Sequence, residues 1–249
     1  MPAVVMGTVT GVRRTSPSFL TVTLAGCSTL ETGGFDQRIK ILLAQPGQDE
    51  PVLPPAEDWY GVYREMADDV RPVMRTFTIR AQRGEEIDIE FALHGDAGPA
   101  AAWALSAAPG SRLGIIGPEI GDNPKAYQYM PRRPDWQLLV GDDTAVPALA
   151  SIISALPADA VARVFVQVPH AEDVREFETA AQVKVEWCVG GGLADAVRSA
   201  ELPDGTPYAW VAGETSIVRD IRRHLTGTLG WDSKPHYFGG YWKAGQSEG

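Results

Sequence analysis

The segment RTFTIR, residues 75–80, brings cations, an aromatic ring and two hydroxyls together on one predicted strand. Side chains alternate between the two faces of a strand, so Arg75 and Phe77 share one face. A guanidinium binds anions and an aromatic ring packs against a flat surface, which indicates a ligand that offers both. Thr78, at the neighbouring position, could form a hydrogen bond with a ring nitrogen of that ligand. Taken singly, Phe77 could equally be a core residue and Arg75 an exposed strand charge.

A second contact for an anion is predicted in the segment HGDAGPAAAWA, residues 94–104. A strand ends at His94, and a glycine turn leads into an alanine-rich helix, predicted over residues 98–108 with Pro99 in its first turn. The start of such a helix has unpaired backbone N–H groups and the positive end of the helix dipole, and both favour phosphate. Alone, this turn would be a weak signal. Together with residues 75–80 it indicates a cofactor that carries a pyrophosphate and a planar ring system, and FAD fits this description.

The first half of the chain must position these residues, and it is predicted to be an antiparallel β-barrel. Its short strands and its turns with Gly or Pro continue to about residue 120. The clearest strand is EEIDIEFALH, in which apolar residues alternate with polar ones at positions 87–93. A proline-rich, acidic excursion through Glu57, Trp59 and Tyr60 precedes the strand that carries RTFTIR. The polar segment 121–135 is predicted to be a linker.

The second half alternates strands with helices, which predicts a parallel sheet covered on both faces. Helices are predicted over residues 145–156, 171–182, 193–202 and 215–227. The last of these is expected to have Thr215 or Ser216 as its N-cap. Ligands of such sheets bind beyond the carboxyl ends of the strands. Those ends are predicted at residues 141–144, 168–173 and 212–215.

Composition restricts the possible partners. The chain has 249 residues, of which 44% are hydrophobic and 22% charged, as in a globular protein of one large or two ordinary domains. Its formal net charge of −10 disfavours nonspecific binding to nucleic acid or to an anionic membrane. We expect no nucleic-acid partner and no membrane partner, so any anion must be bound by a local basic pocket.

The two cysteines, Cys27 and Cys188, lie far apart in the sequence and are predicted to be buried thiols in a reducing compartment. Neither the cysteines nor the four histidines show metal-ligand spacing, and no bound structural metal is expected. The N-terminal residues lack a signal-peptide pattern, and no stretch of about 18 apolar residues occurs. A cytoplasmic location is therefore expected.

Several motifs together resemble one protein family. RTFTIR resembles the arginine-x-aromatic-threonine motif of ferredoxin-reductase-like flavoproteins. HGDAGPAAAWA, LLVGDDTAVPAL, VAGET and the C-terminal GGYWKAG, in this order, resemble the siderophore-interacting protein family of FAD-dependent ferric-siderophore reductases. The resemblance implies a ferredoxin-reductase-like fold. An FAD-binding barrel would span residues 1–125, and a nicotinamide-type α/β domain with a C-terminal tail would span residues 136–249.

The resemblance also implies roles for residues of the first domain. Arg75 would contact the FAD pyrophosphate, Phe77 would lie against the isoalloxazine or ribityl group, and Thr78 would lie near the flavin N5. Phe77 and Thr78 are thus the residues expected nearest the redox chemistry. Phe77 stands where the family commonly has tyrosine, so stacking is kept and a phenol hydrogen bond is lost. The segment 94–101 would surround the phosphates, with Trp103 near the adenine. The other expected FAD contacts are Thr76, Ile79, His94, Gly95, Gly98, Pro99, Ala100 and Ala101.

The second domain resembles the family's nicotinamide domain. It lacks the GxGxxG motif, but Gly141, Thr144 and Pro147 lie at a strand-to-helix turn where backbone donors could bind a dinucleotide phosphate. Gly213 and Glu214 could belong to the nicotinamide pocket, and the glycines 190–192 are more simply a flexible turn. The acidic pair Glu172 and Asp173, with only Arg175 nearby, weakly favours NADH over NADPH, since NADP sites normally provide cations. Some family members resemble ferredoxin-driven enzymes, so NADH, NADPH and ferredoxin all stay open as donors.

The remaining predicted ligand is a ferric siderophore, which is built from hard oxygen donors and often anionic. Lys40 stands where the family has a lysine near the flavin edge, and Lys243 lies in GGYWKAG. Either could instead be a solvated surface charge. The sequence thus predicts a reductase that passes electrons from NAD(P)H or ferredoxin through FAD to Fe(III)-siderophore and releases Fe(II). The alternatives are a general NAD(P)H-dependent ferredoxin or flavin reductase and a non-catalytic siderophore carrier.

Overall fold

The computed structural model describes residues 2–93, 98–119 and 127–245. The chain divides into two compact units, Met1–Tyr127 and Gln128–Gly249. The predicted linker, 121–135, includes residues outside the described ranges, and the assignment of each predicted domain to its cofactor stays a prediction. Within the described ranges, no helix has the length and apolar character needed to cross a membrane.

The first unit contains a closed barrel of six antiparallel strands, as predicted. The order around the barrel is β1-β2-β5-β4-β3-β6, and β1 pairs with β6 to close it. The strands are β1 (Pro2–Ser16), β2 (Phe19–Ala25), β3 (Arg38–Leu43), β4 (Val73–Arg83), β5 (Glu86–Ala92) and β6 (Arg112–Pro118). The alternating residues Ile87, Ile89 and Phe91 all lie in the barrel core. This confirms that the period-2 pattern marks the inner face.

Among the described residues of the first unit, two helices accompany the barrel. The helix α2 (Pro99–Ser106) lies within the range predicted for it and packs Ala104 into the barrel core. It ends at Ala107, where the backbone turns extended. The helix α1 (Trp59–Glu65) lies in the proline-rich excursion and was not predicted. Asp58 caps it by accepting a hydrogen bond from the backbone N–H of Gly61 at 3.2 Å.

The second unit contains a five-stranded sheet in which all neighbouring strands are parallel, in the order β11-β10-β7-β8-β9. Its strands are β7 (Trp136–Gly141), β8 (Val161–Val168), β9 (Gln182–Val189), β10 (Pro207–Glu214) and β11 (Tyr237–Trp242). Its helices are α3 (Val146–Ser154), α4 (Leu193–Ser199) and α5 (Thr215–Arg223). The side chain of Val140 clusters with residues of α4 and α5, whereas the neighbouring Gly141 faces Leu149 of α3. Helices therefore cover both faces of the sheet, as predicted.

The helix predicted over residues 171–182 is wrong. This segment forms one 3-10 turn, Ala171–Asp173, and then runs without helical structure to β9. Its side chains make contacts that a helix would break. The ring of Phe177 stacks on Trp187 of β9 at 5.5 Å between centroids, and the Thr179 hydroxyl donates to the carbonyl oxygen of Ile153 at 2.8 Å. Tertiary contacts here outweigh the helical pattern.

Two further predictions are corrected at the end of the chain. The segment GGYW is not part of a tail, because residues 239–242 belong to β11, which pairs with β10. The N-cap of α5 is Glu214, not Thr215 or Ser216. The Glu214 carboxylate accepts hydrogen bonds from the backbone N–H groups of Ser216 at 2.6 Å and Ile217 at 3.1 Å. At its other end, α5 passes into a π-helical turn at His224.

Candidate functional site

Three aromatic side chains from different elements meet at one side of the first unit. Phe77 of β4 lies 4.6 Å from Phe91 of β5 between ring centroids, and Phe91 lies 5.8 Å from Trp103 of α2. Phe91 is fully buried, whereas Phe77 and Trp103 are half-buried. Phe77 is therefore supported from within by the core ring, and part of its surface stays accessible. The alternation in β5 predicted Phe91 as an inward residue, but the sequence did not indicate its contact with Phe77.

Arg75 shares the strand face of Phe77, because β4 pairs with β3 in continuous register from Val73 to Thr78. Its guanidinium is part-buried and donates from Nη1 to the carbonyl oxygen of Met74 at 2.8 Å. Across the described ranges, no carboxylate forms an ion pair with Arg75. A guanidinium has five N–H donors, so Arg75 retains donors that can bind an anion.

The other predicted residues of this region lie in several environments. The ammonium Nζ of Lys40 donates to the Thr76 hydroxyl at 2.6 Å, and the two residues are register partners on β3 and β4. Thr78, two positions further along β4, is buried. Ile79 has its side chain in the barrel core, and its N–H donates to the carbonyl oxygen of Gln37 at 3.2 Å. Lys40 and Thr76 therefore lie together on the face opposite Phe77.

The helix α2 begins with the pattern expected of an anion contact. Its N-cap is Gly98, which has no side chain to cap the helix. Pro99 follows at the first helical position. The first intrahelical bond runs from the N–H of Ala102 to the carbonyl oxygen of Gly98 at 2.9 Å. The N–H groups of Ala100 and Ala101 precede it and have no partner within the helix. The predicted contacts His94 and Gly95 lie outside the described residues.

In the second unit, the predicted nicotinamide residues surround a buried carboxylate that sequence reasoning missed. Asp142, 3% exposed, follows β7 directly. Its Oδ1 accepts from the backbone N–H of Thr144 at 3.0 Å and from the Thr144 hydroxyl at 2.5 Å. Its Oδ2 accepts from the backbone N–H of Glu214 at 2.7 Å and from the indole Nε1 of Trp242 at 2.8 Å. The signal in the sequence was the pair of aspartates, Asp142 and Asp143, directly after a continuous apolar strand.

Packing accounts for both glycines in this group. A Cβ at Gly141 would lie 2.5 Å from that of Ala145 and 3.0 Å from Cδ1 of Leu149, so glycine lets α3 approach β7. Gly213 has a φ of 139° and would place a Cβ 2.6 Å from Cγ of Asp142. Both are therefore required by the fold, whatever they contribute to a ligand.

Glu214 is also buried, and both of its carboxylate oxygens accept hydrogen bonds. Beyond capping α5, it accepts from the Ser216 hydroxyl, and its Oε1 accepts from the backbone N–H of Ala244 at 3.3 Å. Burial alone would raise the pKa of Glu214, but the hydrogen bonds from Ser216, Ile217 and Ala244 outweigh it and lower the pKa. Glu214 therefore holds a negative charge at neutral pH. The predicted siderophore contact Lys243 is exposed and lies between Trp242 and Ala244.

Some residues that could distinguish NADH from NADPH instead stabilise the fold. Asp173 is buried and accepts a hydrogen bond from the backbone N–H of His170 at 3.1 Å, so it forms the turn after β8. Glu172 stays exposed. The turn 190–192 has three glycines at positive φ with open space around each Cβ position, and Gly192 is the N-cap of α4. Pro147 is buried in α3. The acidity that favoured NADH thus rests mainly on Glu172.

The thiols and metal-binding side chains suggest no further centre. Both cysteines are free and buried, as predicted, and burial with the nearby charge of Glu85 raises the pKa of Cys27 to about 11. Within residues 2–93, 98–119 and 127–245, no three His, Cys, Asp or Glu side chains form a group able to hold a metal ion.

Two family models match the chain, one in each unit. The model described as the siderophore-interacting FAD-binding domain matches residues 8–122. The model described as siderophore-interacting protein matches residues 134–245. Together they account for both compact units, and the chain thus carries an FAD-binding domain.

Two relatives are named as reductases. The ferric vibriobactin reductase ViuB of Vibrio cholerae is 34% identical over 188 residues, which cover 72% of this chain and 67% of that protein. The NADPH-dependent ferric-chelate reductase of Escherichia coli is 26% identical over 245 residues, which cover 95% of this chain and 92% of that protein. The chain is therefore related to ferric reductases over most of its length.

Solved structures agree with the fold. The siderophore-interacting protein SipS from Aeromonas hydrophila has a TM-score of 0.80 at 35% identity, covering 99% of this chain and 93% of that one. The ferredoxin reductase in carbazole 1,9a-dioxygenase has a TM-score of 0.69 at 16% identity, covering 97% of this chain and 68% of that one, and supports the fold alone. The architecture is ferredoxin-reductase-like, as predicted.

Proposed function

Since the chain belongs to the siderophore-interacting protein family, we propose that it is an FAD-dependent ferric-siderophore reductase. NAD(P)H would supply the electrons, and a ferric siderophore would receive them. The names of the two reductase relatives support a ferric chelate as the acceptor. The single observation that carries the proposal is the arrangement of Arg75 and Phe77 on one face of β4, within the part of the chain that matches an FAD-binding domain.

The residues of the first unit fit FAD. A pyrophosphate needs cationic and backbone donors, and Arg75 and the start of α2 offer both. A planar ring system needs an aromatic surface, and the half-buried Phe77 is supported by Phe91 beneath it. We assign Arg75, Ala100 and Ala101 to the phosphates and Phe77 to the ring system. Thr78 is assigned to the edge of that ring system.

FAD, when bound, converts two-electron hydride chemistry into one-electron steps, which is what reduction of Fe(III) requires. The protein's own part is to bind and orient, and no nucleophile or general base is assigned. One NAD(P)H would reduce two Fe(III) ions. Fe(II) has a lower charge than Fe(III) and binds hard oxygen donors less tightly, so reduction itself would release the iron from its chelate.

The second unit is proposed to bind the electron donor at the carboxyl ends of β7 and β10, with Gly141, Thr144, Gly213 and Glu214 around it. The name of the Escherichia coli relative supports NADPH, and reduced ferredoxin is the alternative donor. Lys40 and Lys243 are proposed to contact the anionic chelate. We place the reaction in the cytoplasm, where the free thiols Cys27 and Cys188 would stay reduced.

An anaerobic absorbance titration tests the proposal. The FAD-loaded protein is titrated with NADH or NADPH and then with Fe(III) tris-catecholate, in the presence of a chromogenic Fe(II) chelator. Bleaching of the flavin band by one nucleotide, followed by its recovery with appearance of Fe(II), is expected. Bleaching without Fe(II) would instead favour a general flavin reductase. Protein that cannot be loaded with FAD would favour a carrier and overturn the proposal.

A further inference from the structure

The segment that carries Lys243 is held on both sides by buried carboxylates. Before it, the indole Nε1 of Trp242 donates to Asp142 at 2.8 Å, and after it, the backbone N–H of Ala244 donates to Glu214 at 3.3 Å. The Thr215 hydroxyl adds a hydrogen bond to the carbonyl oxygen of Trp242 at 2.8 Å. We call Asp142 and Glu214 the carboxylate clasp. Lys243 itself is exposed at the surface of this clasp.

The hydrogen bonds of Asp142 are complete. An ionised carboxylate has about four acceptor sites, and Asp142 accepts four hydrogen bonds, two on each oxygen. A buried charge with fewer partners would be strongly destabilising. The indole of Trp242 supplies one of these four bonds, so β11 is required to complete the surroundings of Asp142.

The same carboxylate orders residues assigned to the electron donor. Its Oδ1 accepts both polar hydrogens of Thr144, and its Oδ2 accepts the N–H of Glu214, the residue that follows Gly213. One side chain therefore joins the ends of β7, β10 and β11.

A lysine binds a soluble chelate more tightly when its backbone is already ordered. Its four-carbon side chain is flexible, and ordering it costs side-chain entropy. If the backbone of residue 243 were also loose, that cost would be added to the side-chain cost. The clasp removes the backbone cost before the ligand arrives, which is the general benefit of preorganisation.

We propose that Asp142 is a positioning residue for the ferric chelate, acting through Trp242 to hold the backbone of Lys243 where its ammonium contacts the anionic ligand. This inference rests on the proposed function, in which Lys243 is a chelate contact. Asp142 does not touch the chelate. Trp242→Phe removes the indole donor together with part of the ring, keeps an aromatic side chain and leaves the other three hydrogen bonds of Asp142 in place. Asp142→Asn disturbs the whole clasp, because either orientation of the amide places an N–H group against a backbone N–H.

The test measures binding to the folded, FAD-loaded protein by isothermal titration calorimetry. The probe is the redox-inert Ga(III) tris-catecholate, which separates binding from turnover. Trp242→Phe and Asp142→Asn are expected to raise the Kd by about tenfold, by analogy with the lower end of the losses caused by removing a group that orients a metal ligand. The control Asp195→Asn removes an exposed carboxylate on α4, which pairs with Arg198, and is expected to leave the Kd unchanged.

A double-mutant cycle distinguishes positioning from general destabilisation. In a Lys243→Gln background, Trp242→Phe should cause no further rise in the Kd, because the contact that it positions is already gone. An equal rise in both backgrounds, or a wild-type Kd in Trp242→Phe, would overturn the inference and leave the proposed function standing. Wild-type protein that binds neither the Ga(III) probe nor its Fe(III) counterpart would overturn the proposed function, and the inference with it.

Discussion

The phenyl ring of Phe77 lies 4.6 Å from the fully buried ring of Phe91. Through this contact β4, the strand that also carries Arg75, packs against the core of the barrel. Because the barrel core is closely packed, the position of Phe77 is determined from below, and its exposed part forms a fixed surface. A ligand could therefore stack on Phe77 without a rearrangement of the ring.

Removal of the Phe77 ring should weaken FAD binding. Phe77→Ala is expected to raise the Kd for FAD about three- to tenfold, since an aromatic pair contributes about 0.5–1.5 kcal/mol beyond area burial. Fluorescence titration of the apoprotein with FAD measures it. The matched control is Phe177→Ala, which removes a ring stacked on Trp187 in the second unit. It should lower the melting temperature and leave FAD affinity intact, whereas unchanged affinity in Phe77→Ala would contradict the assignment.

Loss of the Arg75 guanidinium should weaken FAD binding more than loss of the Phe77 ring does. Arg75→Gln is expected to raise the Kd for FAD roughly 10- to 100-fold, because a hydrogen bond to a charged group contributes about 1.5–3 kcal/mol. The dependence of the Kd on salt should also become weaker.

The control for charge alone lies on the same strand. Arg83→Gln removes a guanidinium that forms two hydrogen bonds of 2.8 Å with Asp88 and has no assigned ligand role. If Arg83→Gln lowered FAD affinity as much as Arg75→Gln does, the effect would be one of net charge and the assignment of Arg75 would be wrong.

Gly141 should resist substitution for reasons of packing. In Gly141→Ala the new methyl group would meet Ala145, Leu149 and the carbonyl oxygen of Ala212. Overpacking of this kind destabilises a fold by about 1–3 kcal/mol. Urea unfolding followed by circular dichroism measures the loss. Gly227→Ala, whose nearest neighbour would be Cγ of Arg223 at 4.0 Å, meets no clash and should leave stability unchanged or raise it by up to about 1 kcal/mol. Equal stability of the two variants would refute the packing explanation.

His236 should make the second unit less stable in mild acid. Its Nδ1 accepts a hydrogen bond from the backbone N–H of Ala209 at 3.1 Å, which requires that nitrogen to be unprotonated. Burial lowers the pKa of His236, against a smaller opposite effect of Asp232. The unfolded chain therefore takes up a proton first as the pH falls. The contribution to stability is fully present above the unfolded pKa of about 6.5 and is lost below it.

The measurement compares melting temperatures of the wild type and His236→Phe between about pH 8 and about pH 5. The phenyl ring keeps the contact with Trp231, which lies 5.4 Å from the imidazole, and loses the acceptor. The wild type should lose its advantage over the variant as the pH falls. A difference that stays constant across this range would show that His236 does not titrate as described.

The sequence predicted the elements that depend on local pattern. Alternation in β5 and the change to strand-helix alternation after residue 135 predicted both halves of the fold correctly. The helix at 171–182 failed because Phe177 and Thr179 make contacts with β9 and α3 that no local pattern reveals. The strand β11 was missed for the same reason, since its position depends on pairing with β10 and on a hydrogen bond to a residue one hundred positions earlier.

The candidate site was predictable to a similar degree. Arg75 and Phe77 follow from the period of one strand, and the structure places them on one face. The support from Phe91 and the clasp around Asp142 needed three-dimensional information, because each joins elements that are distant in sequence. Motif and period thus indicate which residues could bind a ligand, and the contacts between elements indicate what holds them in place.

Transfer of electrons from the reduced protein to a ferric chelate is the reaction that defines the proposed function, and it can be measured by itself. FAD-loaded protein is photoreduced without oxygen and mixed with excess Fe(III) tris-catecholate, so that no nucleotide or ferredoxin is needed. The flavin absorbance is expected to recover at a rate that increases with chelate concentration, and two Fe(II) ions are expected for each flavin, because the reduced flavin carries two electrons. If the flavin stays reduced in excess chelate and no Fe(II) forms, the protein is not a reductase of this ferric chelate.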